Sequence, residues 1–262
     1  MELGLEHKIV LITGGSKGIG LACAAGFAAE GARVVIASRS PEHLTEATAA
    51  LAAKGHAVER AEADLRRPES AARLVADVEE RLGPVDVLVN SAGAARRYAP
   101  AELSAQAWHD AMEAKYFTYM HATQAVLPRM IARRSGVVVN VIGQGGKVAG
   151  PNHLPGGAAN SALMLATAGL AAAHARDGIR VVAVNPATTL TERARGAFEA
   201  EARRAGITEA EARRAAEARV PLGRFALPEE VASVVVFLAS ARASYVTGAT
   251  LSLDGGAAAT VV

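Results

Sequence analysis

An apolar run, His7 to Thr13, passes directly into Gly14-Gly15-Ser16-Lys17-Gly18-Ile19-Gly20, and a helical pattern starts at once. Glycines here let the backbone turn tightly and approach a pyrophosphate, while the helix start offers free N–H groups and the positive end of its dipole. That succession restricts the chain to folds in which a parallel strand feeds a helix at a phosphate-binding turn.

Six further runs recur with helical stretches between them: Arg33 to Ser38, Ala57 to Ala63, Val85 to Asn90, Gly136 to Ile142, Arg180 to Asn185 and Thr250 to Leu253. Most are apolar throughout, as strands are when helices cover both faces of a parallel sheet. The expected fold is α/β, a single Rossmann-type doubly wound domain with a seven-stranded parallel sheet flanked by helices, over residues 1–262. Helices are predicted over Ile19 to Glu30, Pro41 to Lys54, Ser70 to Leu82 and Ser104 to Arg134, with Ser40 and Ser104 as N-caps. The stretch Leu190 to Arg219, rich in Ala, Glu and Arg, is predicted to be a helical insertion that acts as a substrate loop or lid.

The formal charge is +2, from 28 Lys and Arg against 26 Asp and Glu, so no global field favours nucleic acid or an anionic membrane surface. The apolar runs are too short to span a bilayer. One cysteine, Cys23, allows neither an internal disulfide nor a cysteine metal site, and the expected setting is reducing and cytoplasmic, with no metal.

Thr13-Gly14 to Gly18-Ile19-Gly20, Asp64-Leu65, Asn90-Ser91-Ala92-Gly93, Asn185-Pro186 with Thr188, Thr189 and Thr191, and Pro221-Leu222-Gly223-Arg224 through Asp254-Gly255-Gly256 together resemble the short-chain dehydrogenase/reductase superfamily along essentially the whole chain. The resemblance implies a dinucleotide held by Gly14, Ser16, Lys17, Gly18, Ile19, Gly20, Ser38, Arg39, Asp64, Leu65, Asn90, Ala92, Gly93, Asn160, Pro186, Thr188, Thr189 and Thr191. Ala187 stands where the family has glycine. The second strand ends Ala37-Ser38-Arg39 without an acid to receive a ribose 2′-hydroxyl. Arg39 and Lys17 supply two cations where a 2′-phosphate would lie, so NADP(H) is expected over NAD(H).

The family performs carbonyl chemistry with serine, tyrosine, lysine and asparagine. By spacing, the serine position is Gly143, the tyrosine position Gly156, the lysine position Asn160 and the asparagine position Lys115. None of the four tyrosines has a lysine four residues on. Candidates for the missing acid/base work are Lys115 and Tyr119, a reversed pair four apart on one helix, His153 with a near-neutral imidazole, and Asn160 as a neutral ribose ligand. Lys147, Arg96 and Arg97 point to an anionic substrate group. Gly143, Gly156 and Gly157 are expected to widen the space beside the nicotinamide.

Three functions fit these residues. The first is an NADP(H)-dependent oxidoreductase with non-standard acid/base groups acting on a carbonyl or related small molecule. The second is a catalytically silent dinucleotide-binding sensor or oligomer partner, and the third a non-redox isomerase or lyase. Resemblance also implies a homo-oligomer, dimer or tetramer, through the helices around Ser104 to Arg134 and Gly157 to Arg176.

Overall fold

The computed structural model describes residues 2–93 and 96–258. Seven parallel strands, β1 (Ile9–Thr13), β2 (Arg33–Ser38), β3 (Glu59–Glu62), β4 (Val87–Asn90), β5 (Gly136–Val141), β6 (Ile179–Pro186) and β7 (Thr250–Leu253), form one sheet in the order β3-β2-β1-β4-β5-β6-β7. The chain steps outward from β1 to β3, then returns to lay β4 against the other side of β1. The order therefore reverses between β1 and β4, where Thr13 pairs with Asn90, and the crevice beyond their C-terminal ends is where such sheets take ligands.

The continuous apolar character of the strands has a direct cause. Val10, Ile12, Val34 and Ile36 point to one face and pack with Cys23, Phe27, Leu44, Val235 and Leu238. Ile9, Leu11, Val35 and Leu88 point to the other and pack with Leu74, Val78, Val126 and Met130. The first face carries α1 (Gly18–Ala29), α2 (Pro41–Ala52) and α9 (Pro228–Ala239), and the second carries α3 (Pro68–Leu82), α5 (Thr118–Ala132) and α6 (Leu154–His174). Burial pushes the Cys23 thiol up to about 12, which leaves the cysteine an inert core residue.

The predicted strand Ala57 to Ala63 shortens to Glu59–Glu62, because β3 is an edge strand paired only with β2 and covered less completely. The N-caps are where the sequence places them. Ser40 Oγ accepts from His43 N and Ser104 Oγ from Ala107 N, each at 3.2 Å.

The helix predicted over Ser104 to Arg134 is unbroken over Ala105–Ala132 but not α-helical throughout. It runs as α4 (Ala105–Ala111), a π turn over Met112–Phe117, and then α5. Such turns shift the side chains that follow and recur at functional sites; this one buries Lys115. The insertion forms α7 (Glu192–Ala205) and α8 (Glu209–Glu217), separated at the left-handed Gly206. Phe198 of α7 stacks on Phe225 with ring centroids 5.4 Å apart, tying the insertion to the body. No helix among the described residues is long and apolar enough to cross a membrane.

Candidate functional site

Gly14 has φ +67°, and a Cβ there would lie 2.7 Å from Ala92 Cα. A Cβ on Gly20 would overlap Gly14 O. The turn after β1 and the start of α1 are thus pressed together, with the Asn90-Ser91-Ala92-Gly93 segment beside them. Lys17 at the α1 N-cap makes no side-chain capping bond, so the first N–H groups of the helix are left for an external acceptor. This cradle fits a dinucleotide pyrophosphate by an observation of shape and donors, not of motif alone.

At the end of β2, where the adenosine is expected, Ser38, Arg39, Ser40, His43, Glu62, Asp64 and Arg66 line a cavity of about 520 Å³. Arg66 grips Asp64 with Nε–Oδ1 at 2.9 Å and Nη2–Oδ2 at 2.6 Å, and these bonds pull the Asp64 carboxyl down to about 2. Lys17 does not join Arg39. Its Nζ lies 3.7 Å from Glu192 Oε2 at the start of α7, an exposed pair drawn together by opposite charge. Sequence reasoning missed Arg66 and His43, which share the cavity with Arg39: the pairing of β3 with β2 brings Arg66 there, and the first turn of α2 brings His43.

Behind the cradle runs a buried polar chain. Asn90 Nδ2 donates to Thr123 Oγ1 and Asn140 Oδ1, both at 3.0 Å, and Asn140 Nδ2 donates to Thr167 Oγ1 at 2.9 Å. The Asn90 side chain is therefore spent inside the protein, positioning the loop that follows β4. Asn140 went unnoticed in the sequence, although an amide closing the run Val137-Val138-Val139 was a usable signal.

The reaction space lies past the end of β5. Gly143 N donates to Asn185 Oδ1 at 3.0 Å, and Asn160 Nδ2 donates to Gly143 O at 3.3 Å. A Cβ on Gly143 would face Asn160 Nδ2 at 3.2 Å, so the two residues that spacing assigns to the serine and lysine positions face each other. The expected widening at Gly157 is corrected: a Cβ there would lie 2.6 Å from Gly145 O. That glycine allows α6 to press against the turn over Gln144–Gly146, and leaves no extra room. Gly156 is buried beside it. The loop after β6 also spends its hydroxyls locally, with Thr189 Oγ1 donating to Ala187 O at 3.3 Å and Thr191 Oγ1 capping α7 through Ala194 N at 3.4 Å.

Lys115 and Tyr119 meet as their spacing suggests. Lys115 Nζ donates to Tyr119 Oη at 2.8 Å and to Val141 O at 3.1 Å, while Tyr119 Oη also donates to Val141 O. Burial, reinforced by the positive charge of Arg193, brings the Lys115 amine down to about 7; burial drives the Tyr119 phenol above its usual range. His153 is half-buried, with Nδ1 enclosed and unpartnered. Burial and the charges of Arg97 and Lys115 hold its imidazole below the ordinary value, hence neutral at pH 7.

The cations expected beside this space divide. Arg97 contributes to its field, whereas Lys147 turns to the sheet edge, where Nζ donates to Ser252 Oγ at 3.4 Å. Arg96 stacks on Tyr98, its guanidinium carbon 5.3 Å from the ring centroid. Arg193 was not singled out from sequence, because only the fold of the insertion brings it near Lys115.

A phosphate cradle at the β1/β4 reversal and a polar chamber beyond β5 define a dinucleotide-dependent oxidoreductase architecture, and the chain belongs to the short-chain dehydrogenase/reductase superfamily. Residues 14–258 match the family described as Enoyl-(Acyl carrier protein) reductase. Gluconate 5-dehydrogenase of Gluconobacter oxydans is 33% identical over 96% of this chain and 95% of its own. D-threitol dehydrogenase of Mycolicibacterium smegmatis is 32% identical over 97% and 94%. Among solved structures, an actinorhodin polyketide ketoreductase variant with NADPH superposes with a TM-score of 0.92 at 34% identity, covering 97% of this chain and 98% of that one. The L-sorbose reductase of Gluconobacter frateurii, complexed with NADPH and L-sorbose, gives 0.92 at 31% identity over the whole of both chains.

Proposed function

We propose that this protein is an NADP(H)-dependent oxidoreductase that reduces a carbonyl group, with Lys115 supplying the proton that a tyrosine supplies in the family pattern. NADPH, when bound, supplies the hydride for the carbonyl carbon. The C=O π bond opens toward oxygen, and Lys115 Nζ passes one proton to that oxygen to give the alcohol. An ammonium has three N–H groups; Tyr119 Oη and Val141 O engage two of them, and the third is the one assigned to substrate. An acid whose pKa lies near 7 is well matched to proton transfer at neutral pH. Tyr119, held by Val141 O, is a positioning residue that fixes the amine. Asn160 holds the turn at Gly143 and offers its amide to the nicotinamide ribose. The observation that carries this reading is the buried Lys115 amine, fixed by two hydrogen bonds at the end of β5.

The preference for NADP(H) is supported by Arg39, with Arg66 and His43, around the cavity at the end of β2, and by the NADPH bound in two similar structures. Exposed apolar side chains, Phe117 at 44% on the π turn and Leu165 at 76% on α6, support a homo-oligomer. Gly143 and Gly156, neither of which carries a proton donor, favour the second reading, a silent dinucleotide-binding protein.

NADPH oxidation followed by stopped flow against a broad panel of carbonyl compounds separates the two readings. Turnover that falls about 10²- to 10⁴-fold in Lys115→Met, with NADPH affinity retained, is expected. Tight NADPH binding without turnover of any compound would leave the silent reading.

A further inference from the structure

We propose that Lys115, in its neutral form, is an amine nucleophile that condenses with short-chain aldehydes and ketones to give an imine, an activity separate from hydride transfer. The reductase reading uses the ammonium form of the same side chain, and this one does not rest on it.

The hydrogen bonds around Nζ match an amine better than an ammonium. Nζ has two acceptors, Tyr119 Oη at 2.8 Å and Val141 O at 3.1 Å. A neutral amine has two N–H groups, so both are satisfied, and its lone pair takes the remaining tetrahedral direction, away from both oxygens. An ammonium in the same place keeps a third N–H without a partner among the described residues.

The surroundings offer a positive charge little. Among the described residues no carboxylate pairs with Lys115, and the ring of Tyr119, its centroid 4.5 Å from Nζ, stands in for one. β5 carries no titratable side chain and α6 none before His174. On α4, Asp110 is exposed and accepts from Gln106 Nε2 at 2.7 Å; on α5, His121 bonds Leu65 O at 2.9 Å; and Glu113 of the π turn acts on Arg66. The groups whose charge or titration meets Lys115 are Tyr119, His153 and the positive Arg193. Burial and the Arg193 charge leave the amine at about 7, nucleophilic at a pH where a solvated lysine is almost wholly protonated.

In the condensation the nitrogen lone pair attacks the carbonyl carbon and the C=O π pair moves to oxygen. Both amine protons then pass to that oxygen, which leaves as water when the C=N bond forms. Nothing is oxidised or reduced. Tyr119 Oη, in contact with Nζ, is the group placed to relay those protons. Lys115 keeps 8% of its surface exposed, which restricts the reaction to small carbonyl compounds.

Reductive trapping tests this on the full chain without nucleotide: propanal and sodium cyanoborohydride at pH 7, with peptide mass mapping of all five lysines. Cyanoborohydride reduces the imine to a stable propylamine. Lys115 is expected to be alkylated about tenfold or more faster than Lys8, Lys17, Lys54 and Lys147, with a rate that levels off above about pH 7. Unfolding in urea is expected to erase that advantage, and Tyr119→Phe to slow Lys115 about tenfold while the other lysines react as before. Labelling of Lys115 no faster than that of the other lysines, or an advantage that survives unfolding, would overturn the proposal; unchanged labelling in Tyr119→Phe would overturn the relay. NADPH turnover without this label would leave the reductase reading alone standing, and the label without turnover would do the reverse.

Discussion

Lys115 Nζ and Tyr119 Oη stand 2.8 Å apart and share one acceptor, Val141 O, the last carbonyl of β5. The amine lies on the N-terminal side of the phenol, and the π turn over Met112–Phe117 carries it inward. Among the described residues the arrangement lacks a counter-ion: the amine is held by neutral oxygens, with Arg193 as the charge acting on it.

A buried amine without a counter-ion makes stability depend on pH. The folded-state pKa of Lys115 is about 7 against 10.5 for the unfolded chain. Between those values the unfolded state binds the extra proton, so stability rises as pH goes from about 7 to about 10 and the penalty is fully present below 7. Lys115→Met, apolar and of similar length, is expected to melt higher than wild type at pH 6 and to lose this pH-dependent gain. Thermal melts of both proteins at pH 6 and pH 9 check it; parallel curves would show that the amine is not buried as described.

Tyr119→Phe removes the phenol while keeping the fully buried ring. Lys115 loses one of its two acceptors and Val141 O one of its two donors, a cost of about 1–3 kcal/mol. If Tyr119 positions the amine, kcat falls with little change in KM and the apparent pKa of the rate profile moves. Chemical denaturation and a pH–rate profile on the same variant separate that from a purely structural loss, which would lower stability and leave the profile in place.

Placing serine at Gly143, the position that spacing assigns to the family's serine, is expected to fail. Gly143 has φ +137°, a conformation side chains rarely adopt, and a Cβ would face Asn160 Nδ2 at 3.2 Å. Gly143→Ser therefore costs about 1–3 kcal/mol in backbone strain and steric adjustment, with no gain in NADPH turnover. A more active, equally stable Gly143→Ser protein would mean the turn is built for a side chain after all.

Much of this was legible in the sequence, for physical reasons that differ by element. The β1 turn and α1 are local: one strand, four glycines and a helix start determine their own geometry, and most of the strand runs are apolar throughout because both faces are covered. Lys115 and Tyr119 were legible as a pair because four residues always bring side chains near each other on a helix. The π turn was not, since nothing in Met112 to Phe117 differs from an ordinary helical pattern. Nor was the role of Gly157, which depends on the carbonyl of Gly145 twelve residues earlier. Arg193 and Arg66 join their sites only through tertiary packing, and Lys17 left its expected partner because an acid from a distant helix, Glu192, folds against it.

The proposed preference for NADP(H) offers the last test, because in that reading Arg39 carries it without reinforcement from Lys17. Arg39 is exposed at the end of β2, with Arg66 already bound to Asp64 across the same cavity. Removing one charge-assisted contact to a 2′-phosphate costs about 1.5–3 kcal/mol, so Arg39→Ala is expected to weaken NADPH binding by roughly 10- to 150-fold. NADH, which has no phosphate there, should bind as before, and the NADPH loss should narrow at high salt as the wild-type contact is screened. Lys17→Ala should change the NADPH to NADH ratio less, because its charge is directed toward Glu192 at 3.7 Å. Fluorescence titration of both nucleotides into the three proteins decides the matter; a larger selectivity change in the Lys17 variant would place the 2′-phosphate on the other side of the loop.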